Sequence, residues 1–214
     1  MASYRGHLMF SSLLGVAYGG FAAWQLHLGW GPVFLGAGLT TVGGLLPDLD
    51  SDSGVPVRET FGLLAVVLPL LLLRRLLRHE VPLDETLVLV AVAYVVIRYG
   101  LSHLFKRLTV HRGMFHSIPA MFIAGLVVFL LDKGAEMPVR LFLAGGIMLG
   151  FLSHLVLDEI YSVDFMGLKL HLKKSAGSAL KLASKSWPAT LTCYAILAGL
   201  ALLAWRDLGP DLEK

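Results

Sequence analysis

The chain has 214 residues, of which 56% are hydrophobic and only 15% charged, where soluble domains average about 25% charged. From Leu8 to Pro47 there is no Asp, Glu, Lys or Arg, a pattern that a membrane hairpin needs and a water-soluble core does not. The net charge of +3 sits mostly on loop Lys and Arg, which points to membrane topology and anionic headgroups rather than nucleic acid. Cys193, the single cysteine, excludes an internal disulfide or a thiolate cluster.

Seven helical segments follow in chain order. The first, about Leu8 to Leu28, is rich in small residues that favour close helix packing; Arg5 ahead of it resembles a signal-peptide start, but the run continues into a second apolar segment and is expected to be retained. Gly29, Gly31 and Pro32 make a turn, and the second segment, about Val33 to Leu46, ends at Pro47. The third, about Thr60 to Leu77, carries Pro69, expected to kink it, and leaves the bilayer at Arg74, Arg75 and Arg78. The fourth begins near Asp84 and is expected to run to Leu108. The fifth, about Ile118 to Leu131, has Ser117 as its N-cap and Pro119 in its first turn. The sixth spans about Pro138 to Tyr161. Residues 166–187 form a basic segment that alternates like a short strand around Leu168–Lys174, or lies along the bilayer surface. The last segment, Pro188 to Trp205, is long enough for a full crossing.

The expectation is therefore a single all-α domain over residues 1–214, a polytopic membrane helical bundle with about five to seven membrane-embedded helices. Segments two and five fall short of the ~20 residues of a perpendicular crossing and are expected to be re-entrant or partly sunk in the protein. Counting spans puts His7, the Asp48–Asp52 run, His111 with His116, and His154 with Asp158 on one side. That side carries ten Lys and Arg against seven on the other, so the positive-inside rule leans toward a cytoplasmic placement.

The four clusters carry the chemistry. His154 and Asp158 lie four apart on one helical face, as two ligands of one metal require; a helix-end His bonded to an Asp would share that spacing. His111 and His116 are five apart and diverge by about 140° on a helix, but a bend at Gly113 brings them together. Arg112 between them suits a bidentate grip on phosphate or carboxylate. Asp48, Asp50 and Asp52 crowd negative charge where an apolar segment ends, and a bound cation relieves it. The same carboxylates with Glu59 match positions of a calcium loop, but Ser53 stands where that loop wants glycine. His27 and His79 lie toward the other side. Arg98 and His103 read as packing or snorkelling groups, although Arg98 has the reach to bind a headgroup phosphate.

Mixed imidazole and carboxylate donors favour zinc, as one or two ions, with manganese possible. The chemistry such a site supports is hydrolysis, with an acidified water attacking an ester or phosphoester. Asp50 or Asp52 is then a bridging ligand or the general base.

With its His7 start, Gly44-Leu45-Leu46-Pro47-Asp48-Leu49-Asp50, His111-Arg112-Gly113-Met114-Phe115-His116-Ser117 and Ser153-His154-Leu155-Val156-Leu157-Asp158, the chain resembles the LexA-regulated, membrane-bound, metal-dependent hydrolase family (YdjM-like) over about residues 1–165. The resemblance implies a small helical inner-membrane protein with a metal site at His7, Asp48, Asp50, His111, His116, His154 and Asp158. After Asp158 the chain departs from the family pattern: Glu159 to Asp164 and a lysine-rich segment replace a glycine-rich stretch.

The resulting expectation is a membrane-bound metal-dependent hydrolase acting on an ester or phosphoester of a lipid or lipid-linked substrate. Asp50 and Arg112 carry catalysis; Arg112, Lys169 and Lys173 bind substrate. A metal or ion transporter using the same side chains is the alternative, with a structural membrane protein holding a metal as the third. Transport sites usually lie at mid-bilayer on broken helices, whereas these clusters fall at segment ends.

Overall fold

The computed structural model describes residues 3–50, 54–103, 114–161, 163–166, 169–172, 181–184 and 186–212. They form an all-α bundle of seven α-helices with one short hairpin. Helix α1 (Tyr4–Gln25) starts on Ser3, whose hydroxyl accepts the Gly6 N–H at 3.2 Å, a capping bond that satisfies one of the free N–H groups of the first turn. Helix α2 (Trp30–Gly43) is followed by a 3₁₀ turn over Leu46–Asp50. Helices α3 (Gly54–Arg78) and α4 (Leu83–Val95) come next; α4 continues as a π-helical turn over Val96–Leu101. Helix α5 (Ile118–Leu131) is capped by Ser117, which accepts the Ala120 N–H at 3.3 Å. Helix α6 (Met137–Ile160), strands β1 (Val163–Met166) and β2 (Lys169–Leu172), and α7 (Trp187–Leu212) complete the chain.

The short second segment is explained by its position. Helix α2 packs against α1, α3 and α6, and its Leu35, Leu39 and Val42 join Val67, Val128, Phe142 and Ile147 in the main core. Fourteen residues are enough when helices rather than lipid surround them. The approach of α2 to α6 is close enough to demand glycine: a Cβ on Gly150 would strike the Thr40 carbonyl, and one on Gly43 the Ile147 carbonyl. Small residues at such crossings let backbones pack where side chains would hold them apart.

Val57–Arg78, Met137–Ile160 and Trp187–Gly209 are long and apolar enough to cross a membrane, and Ile118–Leu131 is a shorter apolar helix. Outward-facing Met9, Leu13, Val16 and Trp24 on α1 and Leu87, Val88 and Val92 on α4 are exposed, as expected of surfaces that meet acyl chains.

Boundaries differ from the sequence reading in three places. Helix α3 begins at Gly54, with Pro56 in its first turn where proline is tolerated, and runs unbroken past Pro69. Helix α4 is regular only to Val95 and turns π-helical where one continuous α-helix was expected; Leu104–Leu108 lie outside the described residues. Helix α7 passes Trp205 and reaches Leu212, held by Asp207, which pairs with Arg140 and, at 3.4 Å, with Lys133. Within the basic segment the strand alternative holds at Lys169–Leu172, which pairs antiparallel with Val163–Met166 in the register Val163↔Leu172 and Met166↔Lys169.

Candidate metal centre

Four elements deliver side chains to one end of the bundle. His7 lies one turn into α1, Asp48 in the 3₁₀ turn after α2, His116 just ahead of α5, and His154 with Asp158 in the last two turns of α6. Antiparallel pairing of α1 with α2 and of α5 with α6 sends all of them to the same end. Five of the seven residues expected from the sequence as metal ligands are thus brought to one end of the bundle.

Their donor atoms converge. His7 Nε2 stands 3.2 Å from Asp158 Oδ1, and His154 Nε2 3.6 Å from Asp158 Oδ2. His116 Nε2 is 3.9 Å from Asp158 Oδ2 and 3.7 Å from Asp48 Oδ1, and His154 Nε2 is also 3.7 Å from Asp48 Oδ1. His7, His154 and Asp158 form one potential ligand set and Asp48, His116 and His154 another, sharing His154. Four ligands placed about 2.0–2.1 Å from a zinc ion are separated from each other by about 3.3–3.4 Å in a tetrahedron. The observed separations bracket that value.

Protonation adds a second test of fit. The His154 ring is fully buried, and its Nδ1 lies 2.8 Å from the Gly44 carbonyl oxygen. A carbonyl only accepts, so Nδ1 carries a hydrogen, and in the neutral form of the ring the lone pair lies at Nε2. That Nε2 is buried without a hydrogen bond and faces two carboxylates. A lone pair turned toward carboxylate oxygens is repulsive unless a cation or an extra proton intervenes. His7 stacks on His154 with centroids 3.7 Å apart and planes 11° from parallel, and two imidazolium rings would repel in that arrangement. A divalent cation would meet the His154 lone pair and keep the stacked rings neutral, and the donor set fits one.

Burial alone would raise the Asp48 carboxyl. A hydrogen bond from His116, with the positive charge that the His154, His116 and His7 rings carry when protonated, outweighs burial and holds it below the usual carboxylate range. Tyr4 was not singled out by sequence reasoning. It lies one turn before His7, ahead of the apolar run, and its Oη is shielded from solvent without a hydrogen bond. Burial, then the charges of Glu59 and Asp48, push its phenol up. The only sequence signal was its i, i+3 relation to His7. The Gly44 carbonyl was equally invisible, because a backbone acceptor has no residue-type signature.

His111, Arg112, Lys173 and Asp52 lie outside the described residues. Asp50 closes the 3₁₀ turn and Lys169 opens β2, but their side chains also lie outside them. Lys181, within the basic segment, lies beside the site: the Ile118 N–H donates to its carbonyl at 3.2 Å, two residues from His116.

Residues 1–172 match the family model described as YdjM inner membrane protein. No curated protein and no solved structure matches the chain.

Proposed function

Since the chain belongs to the YdjM inner membrane protein family and gathers three imidazoles and two carboxylates at one end of its bundle, we propose that it is a membrane-bound metal-dependent hydrolase. Its substrate class is an ester or phosphoester of a lipid or lipid-linked molecule. The observation that carries this reading is the His154 ring, held by Gly44 in the tautomer that ligates metal, with its buried Nε2 facing Asp48 and Asp158.

Zinc is the proposed ion, as one or two ions, with manganese second, from the mixture of nitrogen and carboxylate donors. A divalent cation in this donor set supplies Lewis acidity, lowering the pKa of an attacking water and offsetting charge on the ester oxygen. His7, His116, His154, Asp48 and Asp158 would hold it, joined by Asp50 and His111 on the strength of their sequence positions. Asp50, two residues after Asp48, is the proposed base that takes the proton from water. Arg112 is the proposed grip on a phosphate oxygen, and Lys169 and Lys173 the proposed contacts to an anionic headgroup. The end-of-helix position supports hydrolysis over ion transport, because transport sites characteristically sit at mid-bilayer. The proposed topology is multi-pass, with the cluster toward the cytoplasm, supported by the ten-to-seven excess of Lys and Arg on that side.

Purified protein in detergent tests the reading by metal analysis and by hydrolysis of phospholipids and isoprenoid phosphates, wild type beside Asp50→Ala. Turnover in the wild type, lost in Asp50→Ala, is the expected result. Bound metal with no turnover of any ester would favour a structural metal, and metal flux into liposomes would favour a transporter.

A further inference from the structure

The opposite end of the bundle holds a second concentration of buried charge. Asp132, at the end of α5, is 1% exposed and receives Arg74 Nη1 at 3.0 Å on one oxygen and Arg78 Nη2 on the other. Arg78 Nη2 also reaches the Lys133 carbonyl at 3.4 Å, and Arg75 Nη1 the Leu131 carbonyl at 3.4 Å. Lys133 and Arg140 meet Asp207 on α7. Four cations therefore share two carboxylates, and Arg75 stands beside them on a carbonyl. Glu80, Asp84, Glu85 and Glu136 stand at the same end, but among the described residues none of them pairs with these cations.

Part of this excess has a simple cause, since cations are favoured over the carbonyl end of α3. Two features go beyond it. Arg78 Nη1 is buried and has no hydrogen-bond acceptor, and a desolvated guanidinium N–H without an acceptor is costly. Among the described residues Arg75 meets only a long carbonyl contact and no carboxylate. The surface beside these two residues is apolar and outward-facing, with Leu77 51% and Leu131 41% exposed. An oxyanion carried on an acyl chain would satisfy the guanidinium groups and cover the leucines together.

We infer that the junction of α3 and α5, at the end of the bundle away from the His/Asp cluster, binds the phosphate of an anionic membrane lipid. Arg75 and Arg78 donate to the phosphate oxygens, and Leu77 and Leu131 lie along the acyl chains. Arg74 and Asp132 hold the two helix ends in place for it. The site shares no residue with the metal centre and stands or falls separately from the hydrolase reading.

The purified chain in detergent is titrated with phosphatidylglycerol, phosphatidylcholine and inorganic phosphate, with bound lipid read by native mass spectrometry. Phosphatidylglycerol is retained, and Arg75→Gln and Arg78→Lys each weaken its retention about tenfold, while phosphatidylcholine and inorganic phosphate bind neither the wild type nor the variants. Arg75→Gln leaves both Asp132 pairs intact, so its result decides the matter if Arg78→Lys fails to fold; unchanged helical circular dichroism verifies its fold. Unchanged retention of phosphatidylglycerol by Arg75→Gln overturns the site. Equal retention of phosphatidylcholine, or binding of inorganic phosphate alone, overturns the assignment to an anionic lipid.

Discussion

His154 and Gly44 are 110 residues apart in sequence and meet in one bond of 2.8 Å, from Nδ1–H to the carbonyl oxygen. That bond ties the end of α2 to the last turns of α6 and decides which imidazole nitrogen faces Asp48 and Asp158. Partners of this kind set both the tautomer and the orientation of a metal-ligating histidine.

The bond depends on how closely α2 and α6 approach, so a methyl group placed between them should weaken metal binding without touching a ligand. Gly150→Ala sets its Cβ against the Thr40 carbonyl and beside the Gly44 nitrogen. The expected loss is about 10–100-fold in zinc affinity, the usual effect of disturbing a ligand's supporting bond. Competitive titration against a zinc chelator measures it.

Chelating the proposed ion should destabilise the protein, because it would withdraw positive charge from beside buried Asp158 and partly buried Asp48. An ion present at 100 times its dissociation constant stabilises the folded state by about 2.7 kcal/mol. The thermal midpoint in detergent is expected to fall on chelation and to recover with zinc but not with magnesium, which prefers an all-oxygen shell.

Asp132→Asn leaves Arg74 and Arg78 without their carboxylate at the other end of the bundle. Breaking a fully buried pair costs about 3–5 kcal/mol; these arginines are a quarter exposed, so about 2–3 kcal/mol is expected here. The loss should appear as a lowered thermal midpoint with the bound metal per chain unchanged, since no residue is shared between the two ends.

Much of the site's placement was readable in the chain because a bilayer simplifies the problem. Each apolar run must cross or return, so counting runs puts His7, Asp48, His116, His154 and Asp158 on one face, and the structure brings them together in two overlapping sets that share His154. The i, i+4 spacing of His154 and Asp158 translates directly into a shared helical face. What pattern could not reveal were interactions that depend on three-dimensional proximity alone. The Gly44 carbonyl has no side-chain signal, and Tyr4 resembles any interfacial tyrosine until burial isolates its hydroxyl. Arg74 and Arg78 read as exit markers of the bilayer, yet Asp132 turns them into ties between α3 and α5, and Asp207 ties Arg140 to α7. The extension of α7 to Leu212 follows from the same cause, because Asp207 gains its partners only when the helix continues.

The most direct measurement is elemental analysis of purified wild type beside His154→Ala, with folding of the variant verified by circular dichroism. Stoichiometric zinc or manganese in the wild type, lost from the folded variant, is the predicted result. Equal metal in both proteins, or none in a wild type purified without chelators in zinc-supplemented buffer, would contradict the proposed centre.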